Sequence, residues 1–307
     1  MTRHVPYVGN GPYCYGNSFA MLLGPRSPST AVIEVASAGP FGMQLIGGTT
    51  AFFDAYGWNP DIGCERALAA IGWTSAKTSG GTPEEALDRL RTAVADGPVF
   101  VGPLEMGHLR HQPDMTGPIG ADHFVVALEV DDERVLIHDP HGFPYAEVPL
   151  ADFLAAWQAD TLSYGDPYTM RTAFAQVAEV SDADAIRSVI PAARDYLALV
   201  TDEKMPEGSL GNADAAHRVA DLIEAGAANG LREEFIYFAV RVGARRLDDT
   251  ATCLAMAGYP AAAAVAELQA RLVGSLQRPL VDRDFATAAA ALRELAPTYE
   301  RLREALG

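Results

Sequence analysis

The chain predicts an α+β fold in two parts, an antiparallel-sheet domain over residues 1–178 and an all-helical domain over 179–307. Three observations lead there. Up to about residue 178, short β-branched and aromatic runs alternate with helical periodicity and Gly/Pro turns, whereas from residue 181 the apolar spacing is almost wholly helical. Residues 123–130 and 134–138 form two strand-like runs separated by Asp131, Asp132 and Glu133, the pattern of an antiparallel hairpin. At 307 residues the chain is about twice the typical domain length, which suits a division in two.

The elements follow in order. Residues 14–23 read as a helix because Phe19, Leu22 and Leu23 share one face and Gly24-Pro25 stops the pattern. Gly9, Gly11 and Pro12 exclude helix upstream, so Cys14 falls at a helix N-terminus. A second helix is expected over 60–71. A third opens on Thr82, Pro83 and Glu85, a capping box with Pro at the first helical position, carries Leu87, Leu90 and Val94, and closes at Gly97. Residues 98–101 then read as a short buried strand, and 150–157 as a helix after the hairpin. In the second part helices are expected at 182–200, 213–228, 231–247, 250–257, 260–276 and 282–305. No convincing repeat of solenoid length recurs.

Composition narrows the function. Forty acidic against 23 basic residues give a net charge of −17, which disfavours nucleic acid and anionic membranes as partners. Divided at residue 176 the charge is −11 before and −6 after, an acid excess that would suit a cationic acceptor. The Ala-rich stretch 250–268 is interrupted by Gly258 and Pro260 and is too poor in large apolar groups to span a bilayer. The apolar run 19–23 is too short for a signal-peptide core. Three cysteines without CxxC or zinc-finger spacing argue against a disulfide framework, and a cytoplasmic, reducing setting is expected.

Cys64 and Cys253, set among Ala and Leu, read as small core hydrophobes. Cys14 differs because a helix N-terminus favours thiolate, the nucleophilic form of the side chain. A nucleophile also needs a base held by a third group. With the turn near Asp131-Asp132, antiparallel pairing sets His123 opposite residue 139 or 140, within reach of the Asp139 carboxylate. Cys14, His123 and Asp139 are therefore the candidate catalytic residues. His138 and His141 are alternative bases if the register differs. His108 and His111 with Asp114 invite a metal reading, but no second cluster completes a ligand set and Pro and Gly mark that stretch as a loop, so neither metal nor cofactor is expected. Gly47-Gly48 and Gly80-Gly81 lack the following Lys-Ser/Thr of a phosphate loop.

Residues 13–24 (YCYGNSFAMLLG), 97–101 (GPVFV), 122–128 (DHFVVAL) and 135–140 (VLIHDP) resemble the C39-like bacteriocin-processing cysteine peptidases. They are more similar still to the butirosin biosynthesis protein H family, whose first half is C39-like and whose second half is helical. Residues 230–240 (GLREEFIYFAV) resemble that helical half weakly. The resemblance implies a papain-like fold and a Cys14, His123, Asp139 triad. It also implies transfer of an acyl group from a carrier-protein thioester to a small amine in specialised metabolism. The peptidases place a Gln shortly before the nucleophile as oxyanion donor, and this chain has none there; Asn10, with the backbone N–H of Cys14, is the nearest substitute. Such a donor is worth roughly 3 kcal/mol in the transition state. Hydrolysis of a peptide or amide by the same triad is the second reading, and a non-catalytic binding module on the same shell is the third. The alanine-rich helices imply close packing and are compatible with docking a partner helix, a homodimer included.

Overall fold

The computed structural model describes residues 4–9, 11–227 and 230–307. The elements of the first half run α1 Cys14–Leu23, α2 Thr30–Ala36, β1 Gln44–Ile46, β2 Thr50–Phe52, α3 Pro60–Ala70, β3 Trp73–Thr78, α4 Pro83–Asp96, β4 Val99–Glu105, β5 Asp122–Val130, β6 Arg134–Asp139, β7 Phe143–Pro149, α5 Leu150–Gln158 and β8 Met170–Gln176. The second half runs α6 Asp182–Leu197, β9 Leu210–Gly211, α7 Asn212–Glu224, α8 Leu231–Glu234, a π-turn Phe235–Ala239, α9 Val240–Met256, α10 Pro260–Ser275, α11 Gln277–Asp282, α12 Phe285–Leu295 and α13 Thr298–Ala305. The fold is α+β with antiparallel sheets and a helical C-terminal region.

The chain divides into two compact units, but not at one point. The first comprises residues 1–30 and 72–178, and the second comprises 31–71 and 179–307. The change of pattern at 178 does mark a passage between units, but assigning all of 1–178 to one domain misplaces 31–71. Nor is the second unit all-helical. Its β9 pairs with β1 to complete a three-stranded antiparallel sheet, β2-β1-β9. Asn212 explains why a two-residue strand holds: its backbone N–H donates to Met43 O at 2.7 Å, and its side-chain Oδ1 accepts from Met43 N–H at 3.2 Å. Its Nδ2 also donates to Leu197 O at 2.9 Å. Non-local bonds of this kind leave no periodicity in sequence.

The regrouping changes the charge argument as well. Counted over the compact units, the first holds 16 acidic and 8 basic residues and the second 24 and 15, so the nets are −8 and −9. The acid excess is not concentrated in the unit that holds Cys14.

In the first unit six strands pair antiparallel in the order β3-β8-β4-β5-β6-β7. The near-continuous apolar run of β5 follows from burial on both faces. Val125 and Ala127 join Leu90 of α4 and Phe153 and Trp157 of α5, whereas Val126 and Leu128 pack with Met21 of α1 and with Val5. The Thr82 capping box of α4 is formed in both directions, between Thr82 Oγ1 and Glu85 N–H and between Glu85 Oε2 and Thr82 N–H. Phe19 of α1 stacks on Phe100 of β4 at 4.6 Å and meets Phe174 of β8 edge-on at 5.9 Å. These contacts seat α1 against the middle of the sheet.

Helix boundaries in the second unit depart from the periodic reading. The helices expected at 182–200 and 213–228 end at Leu197 and Glu224, with residue 228 outside the described residues, the π-turn interrupts 231–247, and α11 falls between the helices expected at 260–276 and 282–305. Residues 247–250 continue one helix, α9, instead of ending one and starting another. Residues 282–305 are broken twice: Arg283 adopts a left-handed backbone, Asp284 caps α12 through Thr287 N–H, and Pro297 precedes α13. Among the described residues, no helix is long and apolar enough to cross a membrane.

Residues 31–71 are tied to the rest of the second unit by charge. Arg246 of α9, itself buried, donates from Nε to the wholly buried Glu34 carboxylate at 2.6 Å and from Nη1 to Asp54, with its guanidinium over the Trp58 ring. Removing one member of a buried pair strands the other charge, at about 3–5 kcal/mol. Arg246→Met is expected to lower the unfolding free energy by about that amount, measured by urea denaturation. An effect under about 0.5 kcal/mol, as at an exposed pair, would contradict this account.

Candidate active site

Cys14 is the first residue of α1 and is partly exposed. The turn before it is made by Gly11 with φ +117° and by Tyr13 with φ 86°, ψ 46°, a left-handed backbone uncommon for a bulky residue. Buried Asn17 braces this turn by donating to Pro12 O at 3.3 Å. The helix start is fixed over the beginning of β5, where Ser18 Oγ donates to Phe124 O and Tyr15 packs edge-on against Phe124. Backbone N–H groups of a first helical turn have no intrahelical acceptor, so this end of α1 presents donors and a partial positive charge.

His123 lies near the start of β5 and is buried. The register differs from the sequence expectation. Val130 pairs with Val135 and Glu129 with Leu136, but an irregularity then shifts the ladder, so that Ala127 pairs with Ile137 and Val126 with His138. The last pair of this ladder is Val126 with His138, so His123 and Asp139 lie just beyond it, and they meet through their side chains, His123 Nε2 and Asp139 Oδ1, at 2.7 Å. Nε2 is committed to the carboxylate, and Cys14 lies close enough to the same imidazole to help raise its pKa.

Asp139 is fully buried and receives four donors. Oδ1 accepts from His123 and from the backbone N–H of His141 at 2.8 Å, and Oδ2 accepts from Gln112 Nε2 and His111 Nε2, each at 2.7 Å. Burial opposes ionisation, but the charge of His123 and the hydrogen bonds from His111, His123 and the His141 amide hold the carboxyl well below the ordinary range. Burial also disfavours a charged imidazole at His123. There the Asp139 charge and hydrogen bond, and then Cys14, prevail and push the pKa up to about 10.

Sequence reasoning singled out His111 only as a metal candidate and did not name Gln112, yet both belong to the site through Asp139. They sit in the stretch read as a loop. The loop is held by buried Glu105, which ends β4. Glu105 Oε1 accepts from Gly107 and Ile119 N–H at 3.1 and 2.9 Å, and Oε2 accepts from Gly120 N–H at 2.9 Å and from the Thr161 hydroxyl. Burial opposes its ionisation, yet these bonds, that of Thr161 foremost, lower its pKa. Gly107 is required because a Cβ there would collide with the Gly117 carbonyl.

The other histidines separate. His138 does not serve as the alternative base, since Nε2 donates to Val5 O at 3.0 Å and Nδ1 accepts from Tyr145 N–H at 3.1 Å. Burial lowers its pKa, and both nitrogens are spent on backbone. His141 stands 5.8 Å from the His123 ring, and its Nδ1 meets Gln112 Oε1 at 3.3 Å. Its backbone N–H, not its ring, is what reaches Asp139. The N-terminal segment closes this end: Tyr7 OH donates to Asp139 O and accepts from Gly142 N–H, both at 2.9 Å. Gly9 lies so close to Pro140 O that a Cβ would stand 2.6 Å from it. Asn10, the expected oxyanion donor, lies outside the described residues. Among the described residues no group of three or more His, Cys, Asp or Glu is arranged to hold a metal ion. Cys64 and Cys253 are buried, and burial, then the charges of Asp249 and Asp182, push the Cys253 thiol up to about 12.

Comparison with known proteins adds two findings. Residues 206–307 match the family described as the YobF C-terminal domain. The chain is also similar to "Uncharacterized protein YobF" of Bacillus subtilis (strain 168), with 31% identity over 161 residues that cover 52% of this chain and 52% of that protein. The chain thus spans about half the length of the curated relative it matches.

Two outcomes follow from the electrostatics. His123 with a raised pKa stabilises the fold fully below its ordinary value of 6.5, and this is lost as pH rises through about 10. Asp139 with a lowered pKa stabilises it above its ordinary value of 3.8, and this is lost as pH falls toward its folded value. The excess melting temperature of the wild type over Asp139→Asn is therefore expected to be largest between those two ordinary values. It should shrink on both sides, and a difference flat from pH 3 to 10 would contradict the pairing. Glu105→Ala is expected to open the loop to trypsin at Arg110 by roughly tenfold, read as the rate of that cleavage under native conditions.

Proposed function

We propose that this chain is a cysteine-nucleophile acyltransferase of papain-like fold, working in the cytoplasm through an acyl-Cys14 intermediate. The observation that carries the reading is one imidazole, His123, held at 2.7 Å by a buried carboxylate, Asp139, and close enough to Cys14 for that side chain to raise its pKa. A protonated His123 beside Cys14 favours thiolate, and the start of α1 adds to that preference.

In the first step the Cys14 sulfur attacks the carbonyl carbon of a thioester, and the donor's C–S bond breaks. The departing thiol takes its proton from His123. In the second step an amine attacks the acyl-Cys14 carbon, an amide C–N bond forms and the Cys14 S–C bond breaks, while the amine proton passes to His123. Asp139 orients the ring throughout and supports its positive charge. The backbone N–H of Cys14, at the free end of α1, is suited to the oxyanion of each tetrahedral intermediate. The donor is an acyl carrier protein or another acyl thioester, and the acceptor a small amine; this part rests on the resemblance to the butirosin protein H family. The nearly equal charge of the two units lends the cationic acceptor no support. Hydrolysis of a peptide or amide uses the same three residues with water as acceptor, and a binding module on this shell uses none of them.

The test is intact-mass analysis after incubation with acyl thioesters, with and without amines. An adduct is expected on the wild type and none on Cys14→Ala, with His123→Ala slowing adduct formation by about 100-fold or more. An adduct discharged only by water indicates the hydrolase. No adduct on the wild type, or an equal adduct on Cys14→Ala, would overturn covalent catalysis at Cys14.

A further inference from the structure

Asp139 is shared by two imidazoles. His123 holds Oδ1 and His111 holds Oδ2, both through Nε2 and both at 2.7 Å. The sharing is unequal in kind. His123 is part of the sheet, and it lies close enough to Cys14 for that side chain to raise its pKa. His111 comes from the loop between β4 and β5, faces the edge of Phe143, and has its Nδ1 buried with no hydrogen-bond partner. An ionised carboxylate only accepts, so the Nε2 of His111 must carry a hydrogen. The neutral tautomer already supplies it, which adds a donor to Oδ2 and leaves the Asp139 charge to be balanced by His123. A Lys or Arg at the same place would bring a full positive charge and compete for that carboxylate.

We infer that His111 is a positioning residue of the site: through Oδ2 it fixes the rotation of the Asp139 carboxylate, so that Oδ1 stays aimed at His123 while His123 exchanges its proton with Cys14. Gln112 donates to the same oxygen and is itself anchored to His141, so the loop grips Oδ2 at two points. Glu105, which binds both ends of the loop, sets where those two donors stand. This inference rests on the proposed Cys14–His123 chemistry.

The test reads Cys14 directly and needs no substrate. The rate of Cys14 alkylation by iodoacetamide is followed against pH in the full-length protein, with mass spectrometry to assign the modified residue. Three variants are compared. His111→Gln places an amide nitrogen near the position of Nε2 and keeps the donor, His111→Asn is too short to reach Oδ2, and His111→Phe keeps bulk and loses the donor. Wild-type alkylation on the acid side of the profile is expected to outpace that of an unactivated thiol. His111→Asn and His111→Phe are expected to lose roughly tenfold of that rate, and His111→Gln to restore it. The Gln and Asn variants are both polar amides, so their comparison stands even where His111→Phe does not fold. A wild-type rate no faster than that of an unactivated thiol across the profile overturns the reading of the site as a whole. A faster wild-type rate that His111→Asn leaves unchanged overturns the role of His111 alone.

Discussion

The buried carboxylate of Asp139 is the constraint around which the first unit is arranged. Taking an ion of this kind out of water costs several kcal/mol unless its oxygens are fully occupied. Four donors occupy them, two on each oxygen, and they come from β5, from the loop between β4 and β5, and from the backbone just past β6. None of these donors is enough alone. The hairpin supplies His123, the turn after β6 supplies the His141 amide, and the loop must be folded before His111 and Gln112 arrive. The site and the fold around it therefore depend on the same atoms.

A second buried carboxylate solves the same problem one layer out. Glu105 gathers the N–H groups of Gly107, Ile119 and Gly120 and the Thr161 hydroxyl, and by doing so turns a Pro- and Gly-rich stretch into a defined support. A loop without secondary structure gains shape here from satisfied polar groups, as buried backbone requires. The two carboxylates are linked in series: Glu105 positions the loop, the loop positions Asp139, and Asp139 positions His123. On the opposite side Tyr7 and Gly9 pack against residues 139–142, so the N-terminal segment bounds the same corner.

In the second unit an ion cluster brings together parts of the chain that sequence keeps far apart. Arg246 meets Glu34, more than two hundred residues upstream. Charge counting along the sequence placed most of the acid excess with Cys14, yet 31–71, which carries four acidic residues and one basic, belongs to the other unit. Net charge is a property of a folded body, and a linear cut assigns it correctly only when domains are contiguous.

The sequence by itself determined the elements whose cause is local. The capping box at Thr82, the Gly/Pro turn ahead of α1, the apolar run of β5 and the Asp131-Asp132 turn each act over a few residues, so the start of α1 at Cys14 and the hairpin were legible. So was the meeting of His123 with Asp139, because a hairpin brings its two ends together whatever its exact register. Tertiary structure alone decided the rest. The β5–β6 ladder is shifted between Ala127 and Glu129 and its last pair is Val126 with His138, so His123 and Asp139 meet through side chains beyond it. The approach of His111 and Gln112, the dismissal of His138 by two backbone bonds and the capture of 31–71 by the helical unit are likewise contacts between distant residues. Such contacts carry no periodicity and no spacing rule; they exist only when the whole chain has closed around its buried charges.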